Sequence, residues 1–236
     1  QAPDETGTTD EKLSTREPAM SHATYSLRYK NGHPYLELDG ELWLFDTGSP
    51  ASFGEREELV IGAHAVRVQP SYLGLGVAAL RESLGEPVSG LLGSDVLQRM
   101  DWLLDLPNET AHASDSLKFE GQTATIDDFM GLPIVRVDVG DQVVRMLFDT
   151  GAQLSYWEDP GIERYRVSGT TEDFFPGLGT FTTQAHHVPV RVADVQFMVR
   201  CGRLPRLLAV TLSFAGVAGV LGSEILLDRP IGWSAR

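Results

Sequence analysis

Five residues, Leu-Phe-Asp-Thr-Gly, occur twice in this 236-residue chain, at Leu44–Gly48 and at Leu147–Gly151. The stretch ahead of each copy follows one pattern. "ATYSLRYKNGHPYLELDGELWLFDTGSP" alternates apolar and polar residues around Asn-Gly and Asp-Gly, the strongest short hairpin signals. "ATIDDFMGLPIVRVDVGDQVVRMLFDTGAQ" has two alternating strands, a Gly-centred turn in "DVGD", and a third strand running into Asp-Thr-Gly. A second pair of segments repeats as well: "SGLLGSDVLQRM" (89–100) and "AGVLGSEILLDR" (218–229). Each runs Gly, two aliphatics, Gly-Ser, an acid and more aliphatics. That order predicts a strand ending at Gly, then a short helix with Ser as N-cap and the acid in its first turn. A strand follows each, in "MDWLLDL" and "IGWSAR". So long an internal period constrains the chain to two equivalent β-rich units, a duplication rather than a solenoid.

Composition narrows the function. The chain is 42% hydrophobic and 22% charged, enough to bury a core. Its formal net charge of −14 argues against a general phosphate-backbone binder, which needs clustered Lys and Arg, and against docking on an anionic membrane. No apolar run reaches transmembrane length. The single cysteine, Cys201, excludes an internal disulfide and reads as a small core hydrophobe. Residues 1–20, "QAPDETGTTDEKLSTREPAM", are polar and without aromatics, as in a disordered leader. The absence of an initiator Met suggests a processed N-terminus, and with it a periplasmic or secreted bacterial protein.

The two units differ in length. Asp46 and Gly90 are 44 residues apart, Asp149 and Gly219 are 70 apart. The excess falls in "VSGTTEDFFPGLGTFTTQAHHVPV", so the second unit gains a hairpin over about 168–184 with its tip near Pro176–Thr180. The first unit passes from "DTGSPASFGEREEL" to "VIGAHAVRVQ" with no room for such a hairpin.

A lone Asp-Thr-Gly is a turn sequence. Two copies, each behind a strand ending Leu-Phe, point to loops that meet and set two carboxylates side by side. Such carboxylates cannot both ionise, so they share a proton. The ionised partner can deprotonate a water while the protonated partner polarises a carbonyl.

With "LFDTGSP", "LFDTGAQ", "GLLGSD" and "GVLGSE", the chain over residues 21–236 resembles the aspartic proteases of the pepsin/retropepsin superfamily. The resemblance implies an all-β fold of two homologous β-barrel lobes, about 21–116 and 117–236, related by a pseudo-two-fold with the active site between them. It implies Asp46 and Asp149 as the catalytic pair and Thr47 and Thr150 as residues that hydrogen-bond across the pseudo-two-fold. Gly48 and Gly151 would let backbone approach the carboxylates, and Ser49 would donate to the outer oxygen of Asp46. Ala152 stands where Ser49 does in the first copy, as in the retroviral branch. Each lobe is near the size of a retroviral-type subunit, so the resemblance is to a fused, single-chain dimer. The hairpin at 168–184 would be a single flap on the C-terminal lobe, with Phe174, Phe175, Gly177, Gly179 and Phe181 facing substrate; otherwise it is a surface hairpin whose Phe residues pack on their own lobe. The implied activity is endopeptidase hydrolysis of an extended peptide or unfolded protein by a monomer, with water as nucleophile and no cofactor.

Other residues read as structural. His186 and His187 would face opposite sides of a strand and cannot chelate one metal, so no metal is expected. Asp95 and Glu224 suit helix-dipole or capping roles. Trp43, Trp102 and Trp233 suit the core, and Trp157 could border the cleft. "FGEREELV" reads as a solvated edge. The rival reading is a non-proteolytic peptide- or protein-binding module on the same fold. The lack of a flap on the first lobe and the one-sided Ser leave it open, and the two intact Asp-Thr-Gly copies favour the enzyme.

Overall fold

The computed structural model describes residues 22–175 and 178–234. The leader at 1–20, and Pro176 and Gly177 of the hairpin tip, lie outside them. The fold is mostly β, 52% strand against 14% helix.

The first half contains β1 (His22–Lys30), β2 (His33–Leu38), β3 (Glu41–Phe45), β4 (Phe53–Gly54), β5 (Glu58–Ile61), β6 (His64–Arg67), β7 (Ser71–Tyr72), β8 (Leu75–Gly76), α1 (Val77–Leu84), β9 (Val88–Leu92), α2 (Ser94–Leu97), β10 (Asp101–Asp105) and β11 (Thr110–Ser114). The second contains β12 (Ile126–Phe129), β13 (Leu132–Val139), β14 (Gln142–Phe148), β15 (Ser155–Trp157), a 3₁₀ turn (Pro160–Arg164), β16 (Val167–Phe175), β17 (Gly179–Val192), β18 (Val195–Gly202), α3 (Arg206–Phe214), β19 (Gly219–Leu221), a second 3₁₀ turn (Ser223–Leu226) and β20 (Ile231–Trp233).

Turn chemistry sets the hairpins. Asn31-Gly32 and Asp39-Gly40 both adopt positive φ at each residue, the backbone of a two-residue type I′ loop. Met130-Gly131 does the same between β12 and β13, and is the second half's counterpart of Asn31-Gly32. Two eight-stranded sheets result, ordered β20-β10-β11-β1-β2-β3-β9-β4 and β12-β13-β14-β19-β15-β18-β17-β16. In each, the strand entering Asp-Thr-Gly runs parallel to the strand of the Gly-aliphatic segment: β3 beside β9 and β14 beside β19.

Strand alternation explains the repeated Leu-Phe. Leu44 and Leu147 face two separate apolar clusters, one per half, whereas Phe45 and Phe148 face the central core. That core is continuous across the halves and includes Trp43, Trp102 and Trp233. The halves are also stitched by β10 and β20, which pair antiparallel with Trp102 opposite Trp233. Cys201 is a free, buried thiol.

The structure corrects several expectations. Ser94 and Ser223 are not N-caps: Gly93 and Gly222 hold that position without a side-chain bond, and the hydroxyls turn elsewhere. Two further helices form. α1 lies between Gly76 and Gly85 and buries Val77, Leu80 and Leu84, an i, i+3, i+7 stripe. α3 is the corresponding element of the second half and buries no residue fully. The first half also holds two short hairpins between Asp46 and Gly90. β5–β6 is fastened into the core by Leu59, Ile61 and Val66, and β7–β8 pairs only two residues on each side. The extra chain of the second half lies in the β16–β17 hairpin and a longer β17–β18.

Trp233 is 3% exposed and packs edge-on against Phe45 of the other half. Trp233→Ala is expected to destabilise the chain by about 3–5 kcal/mol, the usual range for a buried Trp or Phe truncated to Ala, measured by urea unfolding.

Candidate active site

The site forms where β3 and β14 end. Asp46 N–H donates to Leu92 O and Asp149 N–H to Leu221 O, each at 3.0 Å, so each loop leaves its sheet at an equivalent rung. The Thr residues then cross between halves. Thr47 N–H donates to Thr150 Oγ1 (3.1 Å) and Thr150 N–H to Thr47 Oγ1 (3.0 Å). Each hydroxyl donates onward, Thr47 to Phe148 O and Thr150 to Phe45 O, both at 2.6 Å. Thr47 and Thr150 are fully buried, so their N–H and hydroxyl groups depend on these four bonds.

The glycines complete the approach. A Cβ on Gly48 would overlap the Asp149 carboxyl, and a Cβ on Gly151 would overlap that of Asp46. Each carboxyl therefore lies against the backbone of the other loop, and the two hydrogen-bond to each other. The chain after each loop is tied down alike: Ser94 N–H donates to Ser49 O and Ser223 N–H to Ala152 O. Ser94 Oγ also donates to Thr47 O (2.8 Å).

The pair is not symmetric. Asp46 Oδ1 accepts from Gly48 N–H (2.9 Å) and Ser49 N–H (3.0 Å). Asp149 Oδ1 accepts from Gly151 N–H (2.9 Å); Ala152 N–H goes to the Asp149 carbonyl (3.2 Å), whereas Ser49 N–H reaches both the Asp46 carboxylate and, at 3.4 Å, its carbonyl. The Ser49 hydroxyl does not serve Asp46 as expected. It donates to Ala51 O (2.9 Å), and its backbone N–H makes the bond instead. Burial pushes the Asp46 carboxyl up to about 6, opposed by its hydrogen bonds. Burial, then the neighbouring Asp46 charge, pushes Asp149 well above its ordinary value. The two titrate as a pair, and the extra backbone donor at Asp46 favours its ionised form over that of Asp149.

Four residues beside the dyad were not singled out in the sequence. Gln153 Nε2 donates to Glu172 O (2.9 Å) and Asp173 Oδ1 (3.1 Å), and Tyr156 OH donates to Asp173 Oδ2. Asp173 is on β16, and its charge reaches Asp149. His33 follows the β1–β2 turn, which leans on the other half: a Cβ on Gly32 would overlap Gln153, and Gly32 O accepts from Ser223 Oγ (2.6 Å). Burial lowers the His33 pKa, opposed by the Asp173 charge and a hydrogen bond to Gly151 backbone. One signal was available in the repeat. Seven residues after each aspartate stand Phe53 and Tyr156, so the second copy alone gains a hydroxyl.

Trp157 does not border the site. It is 1% exposed in the central core, because its neighbour Tyr156 takes the opposite face of β15. Of the hairpin aromatics, Phe174 and Phe175 are exposed, while Phe181 is half-buried with its ring 6.2 Å from that of Tyr156. Alternation puts Phe175, Gly179 and Phe181 on the face of Asp173 and Phe174 on the other. Gly177 lies outside the described residues. Asp95 and Glu224 stand in the first turn of α2 and of the second 3₁₀ turn, as expected, but neither caps: Asp95 accepts from Ser52 N–H and Oγ, and Glu224 pairs with Arg200. His186 is buried on the Tyr165 carbonyl and His187 is exposed, on opposite faces. Among the described residues, no group of three or more His, Cys, Asp or Glu could hold a metal ion. A cavity of about 1170 Å³ between the halves, walled by Phe119, Val135, Phe197 and Trp233, does not include either aspartate.

Two outcomes test this geometry. Thr150→Val preserves shape but strands Phe45 O and Thr47 N–H, and is expected to cost about 2–4 kcal/mol in urea unfolding. Both aspartates have folded pKa values above those of the unfolded chain. The folded state thus retains protons the unfolded chain has released, and stability falls as pH rises from the ordinary aspartate range through the folded values. Asp149→Asn removes that penalty. Its Tm is expected to exceed the wild-type Tm at neutral pH, by roughly 2–4 °C for each kcal/mol relieved, and to converge with it near pH ~4. Compared with models of known protein families and with curated proteins, the chain matches none of either.

Proposed function

We propose that this chain is an aspartic endopeptidase of pepsin/retropepsin type, acting as a monomer that carries both catalytic residues. The observation that carries the reading is the buried, mutually hydrogen-bonded Asp46/Asp149 pair, reciprocally cradled by Gly151 and Gly48. Two carboxyls buried together cost the fold stability, which makes the pair a functional-site candidate, and peptide hydrolysis uses both.

In this mechanism Asp46, held ionised by two backbone donors, takes a proton from a water seated between the carboxyls. Asp149 gives its proton to the scissile carbonyl oxygen as the water oxygen adds to the carbon. The tetrahedral diol then collapses: the C–N bond breaks as Asp46 gives its proton to the amine nitrogen, a diol hydroxyl gives its proton to Asp149 as the C=O re-forms, and the pair again holds one proton. The Thr47/Thr150 bonds keep the carboxyls in register, so little reorganisation accompanies the charge movement. The substrate lies extended between the β16–β17 hairpin and the dyad. Phe175 and Phe181, on the inward face of that hairpin, are the aromatics placed to meet it.

Casein hydrolysis, scanned from about pH 3 to pH 8 across the carboxylate range, tests the proposal. Cleavage is expected with a bell-shaped profile whose acidic limb lies above the ordinary aspartate value, since both carboxyls are pushed up. Asp46→Asn and Asp149→Asn should each abolish it, as should a statine-type transition-state inhibitor. Folded wild type that neither cleaves at any pH nor binds the inhibitor would replace this reading with a peptide-binding module.

A further inference from the structure

Tyr156 touches both arms of the β16–β17 hairpin at one rung. Asp173 on one arm and Phe181 on the other are cross-strand partners. Tyr156 donates its hydroxyl to Asp173 and sets its ring against Phe181. Gln153 reaches the same arm, at Glu172 O and Asp173 Oδ1. Phe174 N–H also donates to the carboxylate (2.8 Å). Asp173 is half-buried, whereas its neighbours Glu172 and Phe174 are exposed. Gln153 and Tyr156 belong to the segment that leaves the Asp149 loop, four and seven residues after that aspartate. The hairpin is therefore pinned to the chain that carries a reacting group. Beyond this rung the described hairpin continues for two more, Phe174 opposite Thr180 and Phe175 opposite Gly179.

The first half has no counterpart. Phe53 stands in the place of Tyr156 and packs in an apolar cluster with Val77 and Leu80 of α1. The hydroxyl, its carboxylate partner and the long hairpin thus occur together on one side only.

We propose that Asp173 is a positioning residue: clasped by Tyr156 and Gln153, it latches the β16–β17 hairpin to the Asp149 loop and sets the height of the hairpin over bound peptide. The latch rests on the endopeptidase reading for its consequence, but not for its existence. A hairpin held at one height offers its strand hydrogen bonds to the peptide without first being ordered, so the latch acts on binding more than on the chemical step.

Hydrogen exchange and steady-state kinetics on the full chain test it. Tyr156→Phe keeps the ring on Phe181 and removes one hydrogen bond to a carboxylate. Amides of 168–175 and 179–184 should exchange about tenfold faster, with the rest of the chain unchanged. KM for a peptide substrate should rise by a similar factor, with kcat within about twofold. Asp173→Ala removes every bond to the carboxylate and should do more. The double variant should be no worse than Asp173→Ala, because Tyr156 acts through Asp173. Unchanged hairpin exchange in both single variants would overturn the latch. A fall in kcat at constant KM would overturn its positioning role, since that pattern reports lost active protein. If the wild type cleaves nothing, the endopeptidase reading fails, and the exchange data still decide the latch.

Discussion

Two carboxyl groups buried against each other are the interaction on which the rest of this structure depends. Neither could be taken out of water alone in its charged form, so they share a proton, and the sharing demands that two loops distant in sequence meet closely. Only glycine permits that approach, because any Cβ at Gly48 or Gly151 would occupy the opposite carboxyl. Only a fully bonded backbone can hold it, and Thr47 and Thr150 supply the cross-bonds from side chains that see no solvent. The parallel pairs β3–β9 and β14–β19, and the β10–β20 seam, set the heights at which the loops leave the two sheets.

The near-symmetry of the halves has been spent unevenly. One extra backbone donor at Asp46 distinguishes two chemically identical groups and favours the charge on Asp46. The difference follows from a single N–H after each loop: that of Ser49 is shared between the Asp46 carboxylate and carbonyl, whereas that of Ala152 goes to the Asp149 carbonyl. The larger asymmetry is in reach. The first half uses its chain between Asp46 and Gly90 on short hairpins, one of them fastened into the core, and on α1, whereas the second projects β16–β17. In the proposed chemistry, one half supplies the base and the other supplies the acid and the cover.

The turn between β1 and β2 adds a link across the halves. His33 and Gly32 rest on Gly151, Gln153 and Ser223, so the first half braces the loop that carries Asp149 as well as its own. A shift of the hairpin at Asp173 would thus be felt by groups on three segments: the Asp149 loop, β15 and the β1–β2 turn.

Much of the architecture was legible because it is written locally and twice. Alternation, Asn-Gly and Asp-Gly turns, and the repeated Leu-Phe-Asp-Thr-Gly led to strands, hairpins, the aspartate pair and the long hairpin of the second half, since each depends on a period or turn that neighbouring residues define. The helices α1 and α3, the short hairpins of the first half, the inward turn of Trp157 and the path of the Ser49 hydroxyl were not legible. Each is settled by what lies opposite in space. A strand pattern says that Tyr156 and Trp157 face opposite ways, but not which face meets the core. A serine beside an aspartate can bond to carboxylate or carbonyl, and only the neighbouring backbone chooses. The sequence by itself determined that two aspartates sit in equivalent loops of duplicated β units. The tertiary structure alone decided how the two carboxyls meet and what fastens the hairpin beside them, because both depend on groups brought together from segments far apart in the chain.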